Sequence, residues 1–318
     1  MVAAMTLTFG IYAGGRIGVD DGSPPEDAER TRTALDRLHG DRPFLVRCYS
    51  HYSDASPGLV QAPPRPELHV TDLRRLDLVV CFREPGDDLT GWLEHLRAQL
   101  RRHGTRLASL QVTEEANHAG PGGDGEFPAV RRALVEGVVA ARREADALGL
   151  DVRIGCNSTA VFDPEQEFWT DLGRRGGPGF VDALDYVGLD FFPGVFSPIP
   201  EERFAETVAG VLTAFRERSL TAAGIPASVP MRVTEHGWGT GPDRSEARQA
   251  EVLDTAVRTV AAAAQSLNIT AYEYFALRDD DSRHPEPLHR LGLLNDDYTP
   301  KAAFETYRRL IAELGSPH

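Results

Sequence analysis

The sequence predicts an α/β fold, a single (β/α)8 barrel of the TIM type over residues 1–318. Three observations predict it. Short apolar runs alternate with helical patterns from end to end, as repeated β-α units around a parallel sheet require. Eight such runs can be counted, several of them unbroken in Val, Ile, Leu and Phe, which is how strands covered on both faces read. The chain has 318 residues, and barrels commonly run to about 250 or more; no stretch reads as a linker that would split it.

In order, Leu7–Ala13 is the first strand, carrying Tyr12 ahead of Gly14 and Gly15. Phe44–Tyr49 is the second, with Arg47 and Tyr49 near its end and His51 just beyond. Leu76–Phe82 is the third, followed by Arg83 and Glu84. Asp88–His103 places Leu89, Trp92, Leu93, Leu96 and Leu100 at helical spacing. Leu107–Thr113 is the fourth strand and leads into Glu114, Glu115, Asn117 and His118. The Gly/Pro-rich stretch Ala119–Pro128 comes next, where a barrel puts an active-site loop. Ala129–Leu148 reads as a helix, Asp151–Asn157 as the fifth strand, and Tyr186–Phe192 as the sixth, with Asp190 and Phe192 at its end. Glu201–Arg218 is helical. Pro230–Thr234 is the seventh strand and precedes Glu235, His236 and Trp238. Ser245–Leu267 is a helix with Ser245 as N-cap. Ile269–Leu277 is the eighth strand, bringing Glu273 and Phe275 and followed by Arg278 and Asp279. Lys301–Leu314 is the closing helix. The run Gly237–Gly241 is expected to be a loop needing positive φ, not a phosphate cradle.

Composition narrows the partners. Hydrophobic residues make up 41% and charged residues 26% of the chain, the balance of a globular protein with a large core. The formal net charge of −14 repels phosphate backbones and anionic lipid, so neither nucleic acid nor a membrane surface is an expected partner. A neutral sugar remains compatible. Lys301 is the single lysine, and it opens a helix, which excludes a Schiff-base lysine at a strand end. Cys48, Cys81 and Cys156 lie in apolar runs and read as buried free thiols. The first ten residues lack a basic, apolar leader, so the expected location is the cytoplasm. No cofactor and no metal is called for, and the oligomeric state is not specified by the sequence.

In a barrel the reacting groups come from the C-terminal ends of the strands, and here acidic groups converge on that rim with aromatics between them. Two carboxylates facing each other across a small site suit glycosidic bond cleavage: one attacks the anomeric carbon, the other protonates the leaving oxygen. Their mutual repulsion keeps one of them protonated near neutral pH.

At these residues the sequence resembles the clan A glycoside hydrolases. Leu110-Gln111-Val112-Thr113-Glu114-Glu115-Ala116-Asn117 looks like that clan's fourth strand, which ends in Asn-Glu with the acid/base second. Arg232-Val233-Thr234-Glu235-His236-Gly237-Trp238 looks like its seventh strand, ending in the nucleophilic Glu. Tyr274-Phe275-Ala276-Leu277-Arg278-Asp279 resembles its eighth, and Arg47 stands where the clan commonly has an arginine that orients the nucleophile. The resemblance implies a retaining O-glycoside hydrolase or transglycosidase with Glu235 as nucleophile and Glu115 as acid/base, 120 residues apart. It implies substrate contacts from Tyr12, Arg47, Glu114, Asn157, Phe192, Trp238 and Phe275, and a carbohydrate or glycoside substrate.

Three positions depart from the pattern. Glu114 replaces the Asn that binds the sugar 2-hydroxyl, Phe192 replaces a Tyr that donates to the nucleophile, and Phe275 replaces a Trp under the sugar ring. Each lost polar contact is worth on the order of a few kcal/mol in the transition state. Two other readings follow: a non-catalytic carbohydrate-binding descendant, or a divalent-metal barrel enzyme built on Glu84, Glu115, Asp190 and His236.

Overall fold

The computed structural model describes residues 6–16, 24–53 and 61–317. Its strands are β1 (Thr8–Tyr12), β2 (Phe44–Tyr52), β3 (Gln61–Ala62), β4 (Arg74–Phe82), β5 (Leu107–Val112), β6 (Arg153–Thr159), β7 (Tyr186–Asp190), β8 (Met231–His236) and β9 (Ile269–Tyr274). Eight of them pair in parallel in the order β1-β9-β8-β7-β6-β5-β4-β2, and β1 pairs back onto β2, closing the barrel. The short β3 lies antiparallel against Tyr49 and Ser50 of β2, covering the edge that β2 exposes where it outruns β1.

The helices are α1 (Ala28–His39), α2 (Thr90–His103), α3 (Val130–Ala147), α4 (Glu167–Val181), α5 (Glu201–Ala214), α6 (Glu246–Leu267) and α7 (Ala302–Leu314). The sequence expectation omits α1 and α4, for different reasons. In α1 only Thr31, Leu35, Leu38 and His39 are buried, so the apolar stripe is thin. Its start is set by Asp27, which accepts from the Glu29 and Arg30 amides at 3.0 Å. In α4 the glycine run and Pro178 disguise a helix that kinks at Gly177, whose φ is 53°. Between β2 and β4 the described residues hold a 3-10 turn, Pro66–His69, in place of an α-helix. Helix α5 loses its register at Phe215–Leu220, a π-helical stretch, earlier than the expected Arg218. Ser245 caps α6 as expected, accepting from the Arg248 amide at 3.1 Å.

The outward faces of the strands meet the helices in one apolar layer that includes Trp92, Trp169, Leu110, Val187 and Tyr307. Inside the barrel the lower floor is polar: Arg47, Asp77, Ser109, Gln111 and Glu273 are all fully buried. Arg232 lies over the Tyr186 ring at 3.9 Å and donates to Ser109 Oγ at 3.0 Å. The three cysteines are free and buried, and burial raises their thiols.

Two expectations change at the rim. Gly237 and Gly239 do not have positive φ; they are glycines because other backbone comes close. A Cβ at Gly237 would lie 2.2 Å from the Phe275 carbonyl, and one at Gly239 1.9 Å from that of Pro287. The eighth strand stops at Tyr274, leaving Phe275–Leu277 in the loop. Lys301 is buried, with Nζ 2.7 Å from Asp279 Oδ1 and 3.1 Å from both Thr240 Oγ1 and the Arg290 carbonyl. It thereby ties the loop after β8 to the loop after β9. Among the described residues no helix is long and apolar enough to cross a membrane.

Candidate active site

Side chains alternate along a strand, so Arg47 and Tyr49 of β2 point into the barrel together. On β8 the same rule points Arg232 and Thr234 inward and would turn Glu235 outward. A register shift overrides it. Opposite Leu189 and Asp190 of β7 stand Val233 and Glu235, with Thr234 skipped, and the pairing with β9 shifts again between Val233 and His236. An extra residue of this kind re-aims a side chain. Here both Thr234 and Glu235 face the barrel mouth, Thr234 donating to Asp190 Oδ1 at 2.5 Å.

The segment after β5 uses a second device. Thr113 and Glu115 have left-handed backbone, with φ of 66° and 41°, which is costly for side chains of this kind. The turn is held on both sides. Asp124 Oδ2, reaching back from the rim loop, accepts the Phe82 and Glu114 amides at 2.7 and 2.8 Å. Asn157 Oδ1 accepts the Glu115 amide at 2.9 Å.

The result is a pit of four carboxyls. Glu114, Glu115, Asp190 and Glu235 each offer an oxygen, and these lie within 4.8 Å of one another. Their partners differ. Glu114 Oε2 accepts from Gln111 Nε2 at 2.7 Å, Asn157 Nδ2 at 3.3 Å and Arg47 Nη2 at 3.4 Å. Asp190 accepts from Asn157 and Thr234. Glu235 Oε1 accepts from the Tyr49 hydroxyl and lies 3.5 Å from Arg47 Nε. Arg47 also donates to the Tyr49 oxygen at 2.7 Å and binds Asp77 Oδ2 at 2.6 Å. Among the described residues the half-buried Glu115 carboxyl takes no hydrogen bond.

Burial raises all four carboxyls, and crowding adds to it. Glu115 is pushed well up by burial, Glu114 and Glu235. Asp190 is raised by burial, Glu235 and Glu114, and Glu114 by burial against the relief Arg47 provides. Glu235 is pushed up to about 8 by burial and Glu114, opposed by Arg47 and the Tyr49 hydroxyl. Burial and crowding thus favour protonation within the pit, and Glu115, with no donor of its own, is the carboxyl least supported as an anion.

These shifts link to stability. A carboxyl raised on folding contributes stability below its unfolded pKa of about 4.3 and loses it as pH climbs through the folded value. For Glu235 that window runs up to about 8. Glu235→Gln is thus expected to raise the melting temperature relative to wild type more at pH 8 than at pH 5. Thermal melts at both pH values check this, and an equal shift at each would contradict it.

Aromatic rings wall the mouth. Tyr12 and Phe275 stack at 4.8 Å, Tyr49 meets Tyr12 edge-on at 5.0 Å, and Phe192 stands 6.4 Å from Phe275. Phe196 extends this row into solvent, 71% exposed. Trp238 is buried in the rim, with Arg244 over its ring at 4.9 Å.

No protein-family model matches the sequence, and no curated protein matches it. Solved structures do. A family 39 glycoside hydrolase from the gut symbiont Bacteroides cellulosilyticus WH2 matches with a TM-score of 0.64 and 16% identity, over 98% of this chain and 65% of that one. GH5_18 from Streptomyces cattleya, in complex with Manb1-4GlcNAc, gives 0.66 and 13% over 98% and 83% of the two chains. A family 17 β-1,3-glucanosyltransferase from Rhizomucor miehei gives 0.58 and 14% over 93% and 96%. What these structures share with the chain is the fold, a (β/α)8 barrel. The chain spans about two thirds of the family 39 protein and half of an uncultured Clostridium β-glucuronidase, at 65% and 50%.

The barrel gathers most of the residues singled out from sequence. Glu114, Glu115 and Glu235 meet in the pit; Arg47 and Asn157 are buried beneath it as donors; Tyr12, Phe192 and Phe275 form the wall. The metal set does not assemble. Buried His236 points out of the barrel, its Nδ1 against the Tyr272 hydroxyl, because it follows the residue at which the register shifts. Glu84 turns back onto the Gly86 amide at 3.0 Å. Sequence reasoning did not assign roles to Tyr49, Gln111 and Asp124. For Tyr49 the signal was present, since it is two residues from Arg47 on one strand face.

Proposed function

We propose that this chain is a retaining O-glycoside hydrolase or transglycosidase that works by double displacement. The observation that carries the reading is the pair of oxygens from Glu115 and Glu235 within 4.8 Å of each other. So close an approach of one oxygen from each favours the close carboxyl pair of a retaining enzyme, about 5–5.5 Å apart, over the roughly 6.5–9.5 Å that an inverting enzyme leaves for water. The unequal surroundings of the two groups support this division of roles. Glu235, held by Tyr49 and Arg47, is the group whose charge is supported; Glu115, crowded by two carboxyls, is the one biased toward its protonated form.

In the first step a Glu235 oxygen bonds to the anomeric carbon as the bond to the leaving oxygen breaks, and Glu115 gives that oxygen its proton. In the second, water attacks the same carbon, Glu115 takes its proton, and the ester to Glu235 breaks. A sugar hydroxyl in place of water gives transfer instead of hydrolysis. Tyr49 supplies from β2 the phenol that Phe192 cannot supply from the end of β7. Arg47 and Asn157 position the carboxyls, and Tyr12, Phe192, Phe275 and Trp238 shape the apolar wall against which a sugar or aglycone rests.

The test is a panel of aryl glycosides and oligosaccharides with the first-formed anomer followed by proton NMR. Retained configuration supports the reading, inversion overturns it, and sugar binding without turnover of any member favours a non-catalytic protein. Tyr49→Phe refines it. Loss of a hydrogen bond to a charged group costs about 1.5–3 kcal/mol, so kcat/KM is expected to fall roughly 10- to 100-fold. Because the phenol lowers the Glu235 pKa, the acid limb of the pH profile should also move upward. A pH-independent loss would assign Tyr49 a packing role only.

A further inference from the structure

The loop after β9 carries a second constellation, outside the carboxyl pit. His284, Glu286 and His289 each present a donor atom, and these atoms lie within 4.8 Å of one another. The two imidazole rings are 3.7 Å apart between centroids and inclined by 34°. Beneath them His289 Nδ1 meets Asp280 Oδ2 at 2.6 Å, and Asp280 is 1% exposed. A buried carboxylate on Nδ1 fixes the orientation of the His289 ring, as carboxylates behind metal-binding histidines do.

The loop is also built to hold its shape. The Asp280 and Asp281 amides both donate to the His289 carbonyl, at 2.9 and 3.2 Å, closing the loop on itself. Pro287 packs against the backbone of Gly239, and Asp279 is anchored by Lys301. His284 Nδ1 accepts the Glu286 amide at 3.1 Å. Coordination exchanges that bond for the ion, and since Glu286 is exposed, water can take up the freed amide.

We propose that His284, Glu286 and His289 bind one borderline divalent metal ion of the zinc type. Asp280 orients His289, and the fourth position is left to water. Two imidazoles and one carboxylate suit such ions, whereas Ca²⁺ and Mg²⁺ require oxygen ligands in larger number. The ion staples the rim loop between Asp279 and Arg290 and takes no part in bond cleavage, so this site does not depend on the function proposed above.

The experiment uses tag-free full chain, stripped with chelator, loaded with Zn²⁺ and dialysed, with metal counted by mass spectrometry and affinity measured by competition. One zinc per chain is expected, together with a higher melting temperature. His284→Ala and His289→Ala should each weaken zinc binding by at least about tenfold, and Asp280→Asn by about 10- to 100-fold. Circular dichroism of the metal-free variants separates ligand loss from misfolding, with the His284 variant at the surface as the safest. Cobalt loaded in place of zinc should show visible absorption that the histidine variants lack. No retained zinc overturns the proposal. So does zinc retained by the His284→Ala/His289→Ala double variant, or zinc lost from Glu235→Gln, which would put the ion in the carboxyl pit.

Discussion

Glu235→Gln is expected to lower kcat on an aryl glycoside by at least about 10⁴-fold, because under the proposed mechanism it removes the covalent nucleophile and with it the pathway, not a single contact. The substitution keeps the size of the side chain and its place beside Tyr49 and Arg47, so the native fold should be retained, with the gain in stability given above. Glu115→Gln is the informative partner. With a leaving group acidic enough to depart unaided, the first step needs no proton, and only the second step loses its base. A burst of aglycone close to one equivalent of enzyme, then slow turnover, is therefore expected for Glu115→Gln and absent for Glu235→Gln. Azide, which attacks without general-base help, should restore turnover to the Glu115 variant and give a glycosyl azide of retained configuration. A loss under about tenfold for Glu235→Gln would remove it from the nucleophile's role.

Asp77→Ala is expected to destabilise the fold by about 3–5 kcal/mol, read from urea unfolding midpoints at constant slope. Asp77 is fully buried, with Oδ2 2.6 Å from Arg47 Nη1 and Oδ1 accepting from Ser109 Oγ at 2.5 Å. Truncating it leaves Arg47, also fully buried, without its nearest anion. The remaining anions, Glu114 at 3.4 Å and Glu235 at 3.5 Å, belong to the pit and place the cost toward the lower end of that range. An apolar replacement of both partners, Arg47→Met with Asp77→Leu, removes the charge problem and should be far less destabilising than Asp77→Ala alone. Its activity should still collapse, since Glu235 then loses its cation. A change under about 1 kcal/mol for Asp77→Ala would mean that the pit carboxylates alone satisfy Arg47.

What the sequence by itself determined is the architecture and the inventory of acidic groups at the rim. Strand-length apolar runs separated by amphipathic helices specify a closed parallel sheet, because such strands need cover on both faces. The helices it concealed, Ala28–His39 and Glu167–Val181, are those whose buried stripe is thin or broken by glycine and proline. The acidic rim was legible for the same local reason, since strand ends are where a barrel places chemistry.

Tertiary structure alone decided how those groups face one another. Strict alternation would turn Glu235 away from Thr234's side of β8; a register shift against β7 and β9 brings both to the mouth, and pairing between strands distant in sequence sets that shift. Left-handed backbone at Thr113 and Glu115 is held by Asp124 and Asn157 from other segments. The Tyr49 hydroxyl reaches Glu235 from across the barrel. Each is a through-space relation between residues of different strands, and local patterning carries no record of it, because periodicity reports which face a side chain takes and not what stands opposite.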